Sequence, residues 1–305
     1  MNTYLDINGI LLVDKPQGFT SFDVIAKLRG ILKIKRLGHS GTLDPMATGV
    51  LPVLVGKSTK ASDILPVDEK SYAAGFKLGI STDTQDITGE TLSQSDLPIS
   101  LEQLERAAES FVGDILQVPP MYSAVSVGGK RLYELAREGK TIEREARQRK
   151  VNYIKINSYD PLTREGVMSV SVSKGTYVRT LIHDIGEKLE CGGVMTSLRR
   201  MTSSGYDIGQ CYTLEQIQQY ADEDNLGQII LPVETAFNST YDKVRLNAHC
   251  TQLYKNGVKL RLEQVGIQDK SNDKIVCIYD CDNVFLGLAQ TNIDKNELKI
   301  YKNFF

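Results

Sequence analysis

Short strand patterns and capped helix starts alternate along this chain, and this alternation constrains the fold more than any other feature. Residues 9–14 form a buried apolar run, and residues 70–79 and 167–173 alternate apolar and polar side chains as half-buried strands do. Thr20 and Ser100 each stand three residues before a partner that completes a capping box, which begins a helix. No βαβ unit repeats, so the sequence predicts an α+β (mixed α/β) fold rather than a doubly wound parallel sheet.

The chain has 305 residues, which is enough for two domains of ordinary size or for one large domain and a small module. From about residue 243, short apolar runs separated by polar turns predict a small β-rich module at 241–305. A module of about 60 residues has a small core, so we expect it to dock on the main domain. Residues 129–150 are polar, basic and short of core residues, and we expect a mobile insertion there.

Charge is unevenly distributed, although the net charge is only −2. Residues 24–60 carry a net charge of +6 and residues 129–150 a net charge of +4, whereas residues 61–128 carry −8 and residues 201–242 carry −7. Basic blocks can be solvated faces of mixed sign, or they can meet on one surface that binds a polyanion. The sequence alone is compatible with both solvated faces and a polyanion-binding surface.

The composition excludes several classes of protein. No apolar run approaches the ~20 residues that cross a bilayer, and the N-terminal segment lacks the basic region of a secretory signal. Five cysteines imply no disulfide framework and show no zinc-ligand spacing. We therefore expect a cytoplasmic protein without a metal site.

The segment Gly38–Pro45 is a glycine-rich loop that carries a candidate catalytic residue. Asp44 is the only acidic residue in the basic block 24–60. An aspartate before a proline is commonly a turn residue. A single carboxylate among seven basic residues also has a reason to stay ionised and to serve as a nucleophile.

Two later segments bring cations next to apolar residues. Arg179 stands where a strand joins a helix, and it could pair with a buried carboxylate or lie on the surface. Arg199 and Arg200 follow Leu198, and this segment could be the basic end of a helix or part of a site.

At these residues the chain resembles a known family, the bacterial tRNA pseudouridine-55 synthases. The similar segments are DKPQGFTS (14–21), GHSGTLDPMATGVLPVLVGKSTK (38–60), VPPMYSAVSVGGKRLYELAREG (118–139), KGTYVRTLIHDIG (174–186) and SLRRM (197–201). The resemblance implies a catalytic domain at 1–240, built on a mixed, largely antiparallel sheet flanked by helices, with an RNA-gripping insertion at about 124–150. It also implies that 241–305 is a small PUA-like RNA-binding domain.

The resemblance implies an isomerase that converts the T-loop uridine at position 55 of tRNA to pseudouridine by base flipping, without a cofactor. Asp44 would be the catalytic carboxylate, which attacks C1′ of the sugar or C6 of the base or assists glycosidic cleavage in another way, and Arg179 would pair with it. Tyr72 would stack on the extruded uracil and accept the C5 proton. The base pocket and its support would further include Tyr177, Leu198, His39 and Lys15.

The partner implied by the resemblance is the T-arm of tRNA, bound by a monomer with no nucleotide cofactor. Phosphate contacts are expected from the basic residues of the matching segments, because such contacts dominate affinity for nucleic acids. These residues are Lys57, Lys60, Lys130, Arg131, Arg137, Arg199 and Arg200.

Two other functions compete with the isomerase. A non-catalytic RNA-binding protein or RNA chaperone would share the basic blocks without needing Asp44. An NTP-dependent enzyme would rest on Gly56-Lys57-Ser58, which resembles the end of a P-loop. A P-loop also needs glycine five residues before its Gly-Lys pair, and that position is Leu51.

Overall fold

The computed structural model describes residues 7–123, 125–268 and 271–305. Within these ranges the chain forms 19 strands. The strands are β1 (Gly9–Lys15), β2 (Leu37–His39), β3 (Thr48–Val55), β4 (Lys70–Leu78), β5 (Ile80–Thr82), β6 (Thr91–Gln94), β7 (Gly113–Gln117), β8 (Ser126–Val127), β9 (Lys130–Arg131), β10 (Arg147–Asp160), β11 (Glu165–Val172), β12 (Gly193–Ser203), β13 (Tyr206–Asp207), β14 (Ile230–Leu231), β15 (Asp242–Arg245), β16 (Leu260–Arg261), β17 (Ile275–Tyr279), β18 (Phe285–Asn292) and β19 (Glu297–Asn303).

The described residues also form six α-helices, and local sequence determines where several of them begin. The helices are α1 (Ser21–Leu32), α2 (Leu101–Glu109), α3 (Leu132–Arg137), α4 (Val178–Lys188), α5 (Leu214–Asp222) and α6 (Ala248–Lys255). Short 3₁₀ helices span Gly56–Ala61, Ile208–Gln210, Leu226–Gln228, Val233–Ala236 and Leu262–Val265. The capping boxes predicted at Thr20 and Ser100 are both formed, with hydrogen bonds in both directions.

The main sheet has ten strands and is largely antiparallel. Eight strands follow the order β14-β1-β3-β12-β4-β11-β10-β7, while β2 pairs with β3 and β13 pairs with β12. The β3–β12 pair is parallel and aligns Gly49 with Arg200. A Cβ atom on Gly49, which has φ of +103°, would lie 2.2 Å from the carbonyl oxygen of Arg200. Glycine is therefore required where these two strands approach each other.

Different hydrophobic clusters cover the two faces of β1 and β3. Leu11 and Val13 pack with α1 and α5, whereas Ile10 and Leu12, which alternate with them, pack on the opposite face. A third cluster lies where α2 and α4 cover β4, β10 and β11. The predicted α+β architecture, with helices flanking a mixed sheet, is confirmed.

The C-terminal module is a five-stranded sheet in the order β15-β17-β18-β19-β16. Phe285 and Phe304 of this module pack around Phe237 of the main domain, with ring centroids 6.1–6.3 Å from that ring. Lys302 also pairs with Asp63 of the main domain at 3.3 Å. The expected docking of a β-rich module is therefore confirmed.

Two local expectations are corrected by strand pairing. Residues 147–150, assigned to a mobile insertion, begin strand β10 and pair with β7 of the main sheet. The rest of the segment 129–150 contains β9, which pairs with β8 just before it, and α3, whose Leu132 is fully buried. The segment 197–200 is not the end of a helix, because it lies inside β12, paired with β4.

Candidate active site

The loop between β2 and β3 carries Asp44 and is fastened from one side by the segment that follows β1. The Ser21 hydroxyl accepts a hydrogen bond from the backbone N–H of Leu43 at 2.9 Å. The N–H of Gly18 donates to the carbonyl oxygen of Pro45 at 2.8 Å. Both residues next to Asp44 are thus held by the backbone or side chains of another segment, while its own side chain stays 38% exposed.

Lys15 is a fully buried lysine beneath this loop. Its ammonium donates to three carbonyl oxygens, those of Phe19 at 2.5 Å, Pro16 at 2.9 Å and Pro45 at 3.3 Å. Burial lowers the pKa of Lys15 to about 8, although the negative charge of Asp44 opposes this shift. Lys15 therefore joins the turn after β1 to the loop that carries Asp44.

Arg179, in the first turn of α4, is the cation that faces Asp44. Its Nη1 lies 3.5 Å from Asp44 Oδ2 and 3.7 Å from Asp86 Oδ2. Its Nη2 donates to the carbonyl oxygen of Tyr122. Arg179 is only 5% exposed, so the guanidinium is held between two carboxylates in a desolvated position.

Asp86 was not singled out by sequence analysis. Its Oδ1 accepts hydrogen bonds from Thr84 Oγ1 at 2.9 Å, Thr88 N at 3.0 Å and Thr88 Oγ1 at 2.6 Å. These bonds fix the carboxylate, so that Oδ2 points to Arg179. The pattern Thr-x-Asp-x-Thr signals a local turn, but nothing in it indicates a partner 93 residues away.

Tyr177 is positioned by its backbone. The buried amide of Gln117, at the end of β7, accepts from Tyr177 N at 2.8 Å and donates to Tyr177 O at 3.1 Å. The Tyr177 ring lies under the guanidinium of Arg179, whose Cζ is 5.8 Å from the ring centroid. Gln117 was also missed, because a glutamine at the end of a strand carries no signal of this role.

Tyr72 and Leu198 come from the adjacent strands β4 and β12. Tyr72 is buried and pairs in register with Arg200 of β12. Leu198 is half-buried at the edge of the cluster that contains Tyr72, opposite Ala74 of β4. The two side chains therefore belong to the same region of the sheet.

The burial of Arg200 corrects the expectation that this residue contacts RNA. Its guanidinium is fully buried and donates to the carbonyl oxygens of Val50 at 2.6 Å, Gly41 at 3.2 Å and Thr42 at 3.5 Å. Each of the three guanidinium nitrogens donates to a backbone carbonyl, and the fully buried side chain is not accessible to a phosphate in the solvent. Arg200 instead fastens the loop that carries Asp44 to β12, through the carbonyl oxygens of Gly41 and Thr42.

His39 lies at the start of this loop, at the end of β2. Its ring meets the exposed ring of Phe22 edge-on, with centroids 5.4 Å apart. Burial, followed by the charges of Arg200 and Lys70, lowers the pKa of His39. The imidazole is therefore neutral at physiological pH.

Comparison with known proteins places these residues in a family. Residues 29–178 match the sequence-family model of the TruB family pseudouridylate synthase N-terminal domain. Residues 179–238 match the family model of the tRNA pseudouridylate synthase B C-terminal domain. A tRNA pseudouridine synthase B of Clostridium novyi is 46% identical over 97% of this chain and 99% of its own length. The chain belongs to the TruB family.

Other relatives of this TruB-family chain give the same result. The tRNA pseudouridine synthase B of Clostridioides difficile is 38% identical, over 96% of this chain and 98% of its own length. A Cbf5–Nop10–Gar1 complex contains a similar chain, with a TM-score of 0.74, 26% identity, and coverage of 97% of this chain and 85% of that one.

The cations expected to contact RNA differ in how free they are. Lys57 and Arg131 are exposed, and Lys130 is exposed but pairs with Glu138 at 3.8 Å. Arg137 is exposed with its guanidinium 5.4 Å from the centroid of the Tyr133 ring. Two further cations are already engaged within the protein. Lys60 donates to the carbonyl and side-chain oxygens of Asn303 at 3.0 and 2.7 Å, and Arg199 pairs with Asp14 at 2.7 Å.

Metal and membrane features are not found in the described ranges. Within residues 7–123, 125–268 and 271–305, no three His, Cys, Asp or Glu side chains are grouped so that they could hold a metal ion. No helix of these ranges has the length and apolar character needed to cross a bilayer.

Proposed function

We propose that this chain isomerises the T-loop uridine at position 55 of tRNA to pseudouridine. The observation that carries the proposal is the Asp44 carboxylate, half-exposed on a loop fastened by Lys15 and Arg200 and 3.5 Å from the buried Arg179. The relatives at 38–46% identity are named tRNA pseudouridine synthase B, which supports tRNA as the substrate.

The reaction breaks the N1–C1′ bond of the uridine, rotates the base and joins C5 to C1′. The proton on C5 is lost and N1 gains one, so no redox step and no net hydrolysis occur. Asp44 is suited to assist glycosidic cleavage as an anion, by attack at C1′ or C6. Arg179 orients the carboxylate through the ion pair that joins its Nη1 to Asp44 Oδ2 at 3.5 Å.

A uridine stacked in a folded tRNA loop cannot reach Asp44, so the base must leave the stack. Extrusion costs a few kcal/mol, and stacking on an aromatic ring returns about 1–3 kcal/mol per base. Tyr72 supplies that ring and the acceptor for the C5 proton, and Tyr177 and Leu198 line the pocket. His39 lies where the loop meets the extruded nucleotide. Its imidazole is neutral, and it can stack there against the RNA.

The remaining assignments follow from the same proposal. The catalytic domain spans 1–240, with an RNA-gripping insertion at about 124–150, and the small domain at 241–305 is a PUA-like RNA-binding unit. The protein acts as a cytoplasmic monomer on the T-arm, without a nucleotide cofactor. Exposed cations of the insertion, namely Lys130, Arg131 and Arg137, contact its phosphates.

An unmodified tRNA transcript tests this function directly. The protein is incubated with the transcript without nucleotide or added metal, and pseudouridine is mapped at single-base resolution. We expect one pseudouridine, at position 55, and none in a matched transcript that carries cytidine there. RNA binding without conversion would instead favour the non-catalytic RNA-binding protein, and conversion at another site would overturn the T-loop assignment.

A further inference from the structure

Lys70, the first residue of β4, places its ammonium against the catalytic loop. A Cβ atom on Gly41 would lie 3.0 Å from Lys70 Nζ and 3.7 Å from Arg200 Nη1. Because Gly41 has no side chain, the ammonium can approach the backbone of the loop closely. Lys70 therefore stands two residues before Tyr72 and next to the loop that carries Asp44.

This ammonium has no anionic partner in the part of the chain that the structure describes. Neither a side-chain hydrogen bond nor an ion pair within 4.0 Å joins Lys70 Nζ to another described residue. The cations Arg200 and Lys174 lie close enough to lower its pKa further, after burial, to about 8. Asp68 opposes this shift, but its carboxylate is shared with Lys174 at 4.0 Å.

The other charged groups nearby do not neutralise Lys70. Asp44 faces Arg179, and the carboxylate of Glu69 accepts a hydrogen bond from Ser171. Arg200 donates hydrogen bonds to carbonyl oxygens and carries a positive charge itself. A half-buried ammonium among cations is costly unless an anion joins it.

We propose that Lys70 binds a phosphate of the RNA strand that enters the active site. The inference rests on the proposed function, because it takes the substrate to be a polyanion that passes the loop at Gly41. A phosphate at this point would satisfy the ammonium and fix the strand beside the extruded nucleotide. Lys70 is thus a binding residue, while Asp44 and Arg179 carry the chemistry.

Salt dependence of RNA binding tests this assignment. The dissociation constant of an unmodified T-arm hairpin is measured at several salt concentrations for wild type, Lys70→Met and Lys70→Arg. Lys27→Met is the control, because Lys27 is an exposed lysine on α1 beside Glu215 of α5. Each variant's melting temperature is recorded to verify folding.

We expect Lys70→Met to weaken binding about tenfold at low salt, since it removes one charged hydrogen bond. The slope of log K against log salt should become shallower by about 0.7, the value for one phosphate of a single strand. Lys70→Arg and Lys27→Met should keep the wild-type slope. A folded Lys70→Met protein with wild-type affinity and slope would overturn the proposal.

The pH dependence gives a second readout that a purely structural role would not produce. Above about pH 8 the free enzyme loses the Lys70 proton, so wild-type affinity should fall as pH rises. Lys70→Arg should fall less, because arginine stays charged. Lys15 titrates in both wild type and Lys70→Arg, so its effect cancels when the two are compared. Identical profiles of RNA affinity against pH in these two proteins would overturn the proposal.

Binding and conversion are read separately in these experiments. Wild-type binding that weakens in Lys70→Met, without any pseudouridine formed, would sustain the phosphate site and refute the proposed isomerase. Conversion of the transcript by wild type together with unchanged binding in Lys70→Met would sustain the proposed isomerase and refute the phosphate site. Failure of the wild-type protein to bind the hairpin would overturn both.

Discussion

Replacement of Asp86 by asparagine tests whether the second carboxylate positions Arg179. Asparagine keeps the Oδ1 acceptor that Thr84 and Thr88 use, but it puts a neutral amide where Oδ2 now lies, 3.7 Å from Arg179 Nη1. At an effective dielectric constant of about 20, two unit charges at this distance attract by about 4 kcal/mol. Asp86 is 5% exposed, so solvent compensates little of that loss.

Part of the lost attraction lowers the free energy of unfolding, and part raises the activation free energy of the reaction. If about 1.4–2.8 kcal/mol of it appears in the transition state, the rate falls about 10- to 100-fold. The assay is single-turnover release of tritium from tRNA labelled at C5 of uridine, with RNA affinity and melting temperature measured in parallel. Glu90→Gln is the matched control, because it removes an exposed carboxylate four residues away.

We expect Asp86→Asn to lose rate while RNA affinity stays within a few-fold of wild type, and Glu90→Gln to lose neither. A folded Asp86→Asn enzyme that turns over at the wild-type rate would refute the reasoning. A loss confined to RNA binding would also refute it, because Arg179 faces the Asp44 carboxylate and is only 5% exposed.

Three further predictions concern the supports of the site. Gly49→Ala places a methyl group 2.2 Å from the Arg200 carbonyl oxygen, so urea unfolding should show a loss of about 3 kcal/mol or more, and an unchanged midpoint would contradict the strand packing. The pKa of Lys15 is about 8 when folded against 10.5 unfolded, so the unfolded state binds more protons in between and stability should rise with pH above 8. The rise in unfolding free energy with pH should be smaller in Lys15→Met. Equal slopes of unfolding free energy against pH in the two proteins would contradict the lowered pKa of Lys15. Gln117→Ala leaves the Tyr177 N–H and carbonyl unpaired and should lower stability by about 2 kcal/mol together with kcat, whereas full activity would show that Tyr177 needs no such clamp.

Local features of the fold could be predicted because neighbouring residues determine them. The capping boxes at Thr20 and Ser100 depend on side chains three residues apart, and both are formed. The strand at 70–79 follows from its alternation and is realised as β4 over Lys70–Leu78. The glycine-rich loop with a single carboxylate was likewise visible in the sequence, because composition alone marks it.

Long-range features were missed or misjudged because strand pairing determines them. Asp86 meets Arg179 only after the chain has crossed from the β5–β6 hairpin to α4. Arg200 was expected at an RNA surface, but the parallel pairing of β3 with β12 buries it under the loop. Lys60 was expected to contact RNA, and the hydrogen bond that it donates to Asn303 of the docked C-terminal sheet could not be predicted from the sequence.

The reactivity of Asp44 is the central claim, and single-turnover pseudouridine formation by Asp44→Asn tests it most directly. Asparagine preserves the shape of the side chain and removes the charge that faces Arg179. We expect the variant to bind the tRNA transcript with an affinity close to wild type and to convert it at less than about one-thousandth of the wild-type rate. Conversion at a rate near that of wild type would contradict it.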